Sequence, residues 1–294
     1  MQWEAELVVD AKSLLGEGPH WDAGRSSLLW VDITGKRLNE YKPEGGELRA
    51  YPFEEMVTAA VPAADGGILL TFPHSIGLFD PESGTVRTLL DGIEADKAEN
   101  RFNDGKCDAT GRYWGGTMSM NDVRGQGSVY SLDPDLQLRV REEFGPVTCS
   151  NGLGWSPDNR TMYYIDTPTY EVVAFDVDLQ NGELANRRTA IRIPKEFAYP
   201  DGMTVDAEGM LWVAHWGGFR VTRWNPATAE CIGTAHVPAP QVTSCTFGGP
   251  NRDELYITSA RVGLSDEVLA KYPLTGGVFR IKPGVSGLPN HTFG

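Results

Sequence analysis

The stretches SNGLGWSPDNRTMYYIDT (150–167) and YPDGMTVDAEGMLWVAHWGG (199–218) share one plan. Each opens with a polar residue set directly before glycine, Asn151 or Asp201. A short apolar run follows, then a tight turn (SPDNR or DAEG), then a strand-like run holding Tyr163 or Trp212. Counted back from that aromatic, Asn151 lies 12 residues upstream and Asp201 lies 11. The frame fits four more places: Glu17 precedes Trp30 by 13, Asn103 precedes Trp114 by 11, and Thr58 and Ser244 precede Leu70 and Tyr256 by 12 each. Six polar positions thus hold nearly one register in six similar units. Repetition of this kind speaks first of architecture.

The anchoring residues Trp30, Leu70, Trp114, Tyr163, Trp212 and Tyr256 are spaced by 40, 44, 49, 49 and 44 residues. Behind each comes a second strand signal ending in a polar turn, such as IGLFDPESG or GSVYSLDPD, and then a shorter strand such as TVRTLL or LRVREEF. Four strands per ~40–50 residues is the signature of a propeller blade. The sixth unit lacks its fourth strand, and WEAELVVDA (3–11) stands unassigned at the other end of the chain. The predicted fold is therefore all-β, a six-bladed β-propeller over residues 1–294 as a single domain. Its ring would be closed by the N-terminal strand pairing with the last blade, which removes exposed edges. A repetitive β-sandwich is the competing architecture, and the long period argues against it.

Composition agrees with that class. The 34 glycines and 19 prolines supply turns, and no long amphipathic helical pattern is present. A net charge of −14 argues against nucleic acid and anionic membranes as partners, because both would repel this surface. No run of 18 apolar residues occurs, and MQWEAELVVDAKS lacks the basic-then-apolar order of a secretion signal. Cys107, Cys149, Cys231 and Cys245 show no CxxC spacing. They read as buried free thiols in a reducing cytoplasm, the expected location.

The first strand of a propeller blade lines the central channel, so the six matched polar positions should converge at one channel mouth. Glu17, Asn103, Asn151 and Asp201 would bring carboxylate and amide oxygens there, hard donors suited to Ca²⁺, Mg²⁺ or Mn²⁺. Taken singly, Asn-Gly and Asp-Gly usually mark turns. Their recurrence at one register favours a shared site. Arg101 stands two residues before Asn103 in NRFND, so strand alternation would put both side chains on one face. It reads either as a surface loop arginine or as a guanidinium that orients substrate oxygens. His20, three residues after Glu17, reads as a packed histidine more readily than as a site residue. Trp114 and Trp212 read as packing between blades. Other chemistries lack their motifs: no GxSxG, HExxH, P-loop or GxGxxG is present, and DVDLQNG (176–182) reads as a hairpin turn.

The motifs GEGPHW, LLWVDI, NRFNDGKCD, GRYWGGTM, SNGLGWSPD, DGMTVDAEGMLWVAHWGG and TSCTFGGPNRDELYITSA together resemble the regucalcin (senescence marker protein) and gluconolactonase family. The likeness runs from about residue 13 to residue 283. The segment ARVGLSDEVLAKYPLTGGVF (260–279) is similar to bacterial aldonolactonases, which are sugar lactone lactonases. The resemblance implies a six-bladed propeller with one catalytic divalent metal ion, among Ca, Mn, Mg, Zn and Fe. It implies metal ligation by Glu17, Asn151 and Asp201, substrate contact by Arg101 and Asn103, and Asp201 as the base. Animal regucalcins carry a substrate-contacting glutamate in the loop after GTM. Here that loop reads Ser119-Met120-Asn121-Asp122, so substrate preference does not carry over.

The expected activity is metal-dependent hydrolysis of a sugar 1,4- or 1,5-lactone, gluconolactone-like or xylonolactone-like, to the aldonic acid. The expected partner is that small molecule, and the expected state is a monomer. Two alternatives are an ester or phosphotriester hydrolase on the same scaffold and a non-catalytic divalent-cation-binding propeller.

Overall fold

A computed structural model describes all 294 residues, and nearly all regular structure in it is strand. Four antiparallel four-stranded sheets follow one another along the chain. They begin with Gly16–Asp22, Ala59–Pro62, Asn100–Cys107 and Ser150–Trp155. The remaining strands form a nine-stranded sheet, in which two groups of four meet through the single pairing of Trp216 with Gln241. The first strands of these two groups are Tyr199–Val205 and Gln241–Gly248. The anchoring runs of the sequence are the second strands, among them Ser27–Asp32, Tyr113–Ser119 and Leu211–Trp216. The one α-helix, Asp266–Lys271, is a single insertion, and no helix is long and apolar enough to cross a membrane.

Burial falls from the first strand of each sheet to the fourth. Gly16–Asp22 is buried almost throughout, whereas Glu47–Pro52 is almost wholly exposed. First strands of successive sheets lie side by side, and Gln241–Gly248 lies against Gly16–Asp22. A hydrogen bond from Thr243 Oγ1 to the Gly16 carbonyl (2.6 Å) joins those two strands. Six apolar clusters fill the spaces between consecutive sheets, and one of them, with Trp21, Trp30, Tyr256 and Val278, joins the last strands to the first sheet.

The repeat is visible at atomic level. Asp108 and Asp206 each stand six residues before a tryptophan. Each carboxylate caps its turn through backbone N–H groups and accepts the indole N–H of Trp114 or Trp212 at 2.8 Å. The turn and the inter-sheet aromatic are thereby fixed together, and both tryptophans are fully buried. DVDLQNG is the hairpin turn expected of it, between Glu171–Asp178 and Glu183–Arg192.

The N-terminal stretch departs from the single strand expected over 3–11. Glu6–Val9 pairs antiparallel with Val278–Ile281, while Gln2–Glu4 pairs parallel with Glu230–His236 of the preceding group. The break comes at Ala5 because Trp3 is drawn across to Trp212 (ring centroids 5.2 Å apart). Trp3 fits over Gly233, where even a Cβ would come within 2.5 Å of the indole. Deleting residues 1–9 removes both pairings and bares the edge of Val278–Ile281. The expected result is a melting temperature lower by at least ~5 °C, the effect of a few kcal/mol in a chain of this size. Coincident melting curves would show that this segment adds nothing to the fold.

Candidate active site

Five of the six innermost strands lose their pairing register where the matched polar residue sits. The shifts fall between Glu17 and His20, Phe102 and Gly105, Asn151 and Leu153, Pro200 and Met203, and Val242 and Cys245. A bulge bends a strand and re-aims its side chains, so one device recurs around the site. The glycines after Asn151 and Asp201 lie inside strands, not in turns. They are required by close approach of neighbouring strands: a Cβ on Gly152 would meet Met203 Cβ at 2.7 Å, and one on Gly202 would collide with Ser244.

Glu17, Arg101, Asn103, Asn151 and Asp201 all line one cavity of about 610 Å³. All five are buried. A chain of hydrogen bonds sets their positions. Arg101 donates to Asn103 Oδ1 (2.6 Å), and Asn103 Nδ2 donates to the Ser150 carbonyl (2.8 Å) and to Asn151 Oδ1 (3.1 Å). Asn151 Nδ2 donates to Thr167 Oγ1 (2.8 Å), whose hydroxyl donates to the Pro200 carbonyl (2.9 Å) beside Asp201. Both asparagine side chains are thus held with known orientation, and Asn151 Oδ1 keeps a lone pair free.

The two carboxylates are poorly satisfied. Glu17 Oε2 accepts only the N–H of Gly18, at 2.9 Å, and Asp201 Oδ1 is buried with no hydrogen-bond partner. Burial pushes Glu17 up to about 8, helped by the charge of Asp104. Burial pushes Asp201 well above the ordinary carboxylate range, helped by Glu17 and Asp104, while Arg101 opposes both shifts weakly. A buried carboxylate oxygen without a donor is costly unless a cation or proton meets it. Two carboxylates with an oriented amide oxygen fit a divalent cation of the hard class. No group of three His, Cys, Asp or Glu side chains is arranged to hold a metal ion, so an oxygen set completed by asparagine is the arrangement on offer.

Of the other matched positions, Thr58 and Ser244 do not line this cavity. Thr58 Oγ1 bonds Thr71 (2.8 Å to its hydroxyl), and Ser244 packs against Gly202. His20 is packed away from the site, its pKa pushed down to about 3 by burial and by Lys106. The structure adds residues that the sequence pattern did not single out. Cys149 and Thr167 line the cavity, and Asp104 presses its charge on both carboxylates. Cys149 is half-buried where full burial was expected of the cysteines, and Cys231 is exposed, because the turn it follows leaves it on an outer strand. Burial, with Asp201 next, pushes the Cys149 thiol up to about 12, so it is protonated at neutral pH. The loop after Gly-Thr-Met reaches the rim through Asp122 and Arg124, and Tyr199 and Trp216 form an aromatic wall. Adjacency to Asn103 and Asn151 was the available signal for Asp104 and Cys149. Thr167 and Trp216 come from second strands or their ends and gave none, while Tyr199 opens the inner strand that carries Asp201, two residues before it.

The model of the SMP-30/Gluconolactonase/LRE-like region matches residues 15–261, a span that contains every one of the five residues. The chain belongs to that family. Regucalcin of Gallus gallus is 41% identical over 294 residues, covering 98% of this chain and 97% of the relative. Among solved structures, a luciferin-regenerating enzyme is 32% identical with a TM-score of 0.91, covering 98% of both chains. A calcium-binding protein, regucalcin, from Agrobacterium tumefaciens is 26% identical with a TM-score of 0.94, covering 100% of this chain and 99% of the other. The all-β architecture is that of the family's propeller fold.

Proposed function

We propose that this chain is a metal-dependent hydrolase that opens a sugar 1,4- or 1,5-lactone to its aldonic acid. The observation that carries the reading is the convergence of Glu17, Arg101, Asn103, Asn151 and Asp201 on one cavity, with an unpartnered carboxylate oxygen on Asp201. Membership of a family whose description includes gluconolactonase supports it. As part of the same reading, the sheets are six blades of one domain, with the strand before residue 10 closing the ring. The adjacent first strands and the six inter-sheet clusters support that count. The protein would act on a small molecule as a cytoplasmic monomer.

Glu17, Asn151 and Asp201 would hold one divalent cation, Ca, Mn, Mg, Zn or Fe, with hard cations favoured by the oxygen donors. When bound, such an ion polarises a carbonyl and stabilises negative charge developing on its oxygen. Asp201 takes a proton from the attacking water as the water oxygen bonds to the lactone carbonyl carbon. The ring C–O bond then breaks, and the ring oxygen leaves as a hydroxyl once protonated. Arg101 donates to ring hydroxyls, and Asn103, whose two amide N–H groups are taken by Ser150 and Asn151, accepts from one through Oδ1. Together they hold the carbonyl over Asp201, which converts encounter into orientation. The lining, which mixes charged and amide groups with Tyr199 and Trp216, suits a sugar ring with its polar hydroxyls and apolar C–H faces.

The test is hydrolysis of a panel of sugar lactones, followed with a pH indicator, on chelator-stripped protein with single cations restored. Rates above a matched enzyme-free blank that need a cation support the reading. The name calcium-binding protein on a similar structure favours a second reading, cation binding without catalysis. That reading, or the ester-hydrolase one, takes over if cations bind and no lactone is opened.

A further inference from the structure

Lys106 stands on the same inner strand as Arg101 and Asn103, three residues beyond Asn103. Its ammonium does not face the cavity. It donates to the Leu153 carbonyl at 3.0 Å and to the Met203 carbonyl at 2.9 Å. Those two carbonyls belong to the next two inner strands, and each lies two residues past a carboxylate or amide of the site: Asn151 in one case, Asp201 in the other. Both also lie at the far end of a register shift, Asn151 to Leu153 and Pro200 to Met203. Two residues of strand span about 7 Å, so the ammonium sits one layer below the cavity floor.

A bulge leaves backbone groups outside the regular ladder, and a bulged strand can relax by closing the slip. Here the groups past two bulges are taken up by one cation from a third strand. We propose that Lys106 is a positioning residue that pins these two bulges, and thereby fixes the directions in which Asn151 and Asp201 present their oxygens. The inference rests on the cation site of the preceding reading. It makes Lys106 the point where three adjacent strands of the site are tied together, although it touches neither substrate nor cation.

A competing role, that of a counter-ion, predicts the opposite effect. Burial pushes the ammonium down from its ordinary value, and the charge of Asp104 opposes that shift, so the pair Lys106 and Asp104 could act on the site through charge alone. If charge were its whole contribution, removing it would make the site more negative and tighten a divalent cation. Loss of the pin weakens binding instead.

The experiment is calorimetric titration of Ca²⁺ and Mn²⁺ into the chelator-stripped full chain. It compares the parent with Lys106→Met, Lys106→Arg and the double variant Asp104→Asn/Lys106→Met, whose buried charges are both gone. The expected result is at least tenfold weaker binding in Lys106→Met and in the double variant. Partial recovery is expected in Lys106→Arg, whose guanidinium can still donate to both carbonyls. The small cavity of about 50 Å³ beside Lys106 gives it room. Unchanged or tighter binding in Lys106→Met, with the parent binding normally, overturns the inference alone. If neither Lys106→Met nor the double variant folds, Lys106 holds the fold and not the ligand geometry, which also overturns it. A parent that binds neither ion overturns the cation reading beneath.

Discussion

Replacing Asp201 by asparagine is expected to cut lactone turnover at saturating cation by at least ~10²-fold, the lower end of what a general base contributes. The same change should make the metal-free protein more stable at neutral pH. Asparagine keeps one oxygen for the cation but takes no proton from water, so the chemical step suffers more than the binding. The stability gain follows from burial. Asp201 sits with one carboxylate oxygen unpartnered and its pKa raised by burial and by Glu17. A carboxylate whose pKa is higher folded than unfolded favours the fold fully below its unfolded value, 3.8, and loses that contribution as pH rises through the folded one. The neutral variant has no such loss. Its advantage should therefore be present at pH 7 and vanish as pH falls toward 3.8. Thermal melts of stripped parent and variant across that range give the second readout beside kcat. A variant that turns over lactones like the parent removes Asp201 from the chemistry. One that loses turnover and also stability would show a damaged fold instead.

How much of this was legible in the sequence differs from element to element. Trp30, Trp114, Trp212 and Tyr256 announced the repeat because each fills the space between two sheets, a demand that recurs with every unit and leaves a local mark. Asn103, Asn151, Asp201 and Glu17 were visible because a shared register in repeated units becomes a shared place in space. Thr58 and Ser244 held the same register and yet stay out of the cavity. Spacing fixes the strand position, while the bulge and the neighbours decide what is presented. Asn-Gly and Asp-Gly looked like turn signals, but each glycine stands inside a strand to admit its neighbour. Arg101 was balanced between surface loop and site on sequence grounds, and it is buried with its guanidinium on Asn103. Lys106 gave no sign at all, because its partners are backbone carbonyls 47 and 97 residues away. The split of the N-terminal stretch at Ala5 depended on Gly233, which is equally remote.

Cation affinity is expected to climb by up to about tenfold per pH unit between pH 6 and 8, the range over which the cation displaces the Glu17 proton. In the metal-free protein Glu17 titrates at about 8 and Asp201 well above its ordinary range. At pH 7 the cation must therefore expel the Glu17 proton before it meets that carboxylate. Calorimetry of Ca²⁺ binding at pH 7 in buffers of different ionisation enthalpy counts that release directly, and about one proton should leave per ion. The stability of the stripped protein should run the other way. Glu17, raised from 4.5, favours the fold fully below 4.5 and loses that contribution as pH rises to about 8. Added Ca²⁺ should restore stability most at the alkaline end, where the unpaired charges are greatest. Glu17→Gln removes one carboxylate of the pair, so it should weaken binding and flatten both pH profiles together. Affinity that stays level from pH 6 to 8, with no proton released, would mean that the ion does not bind between Glu17 and Asp201.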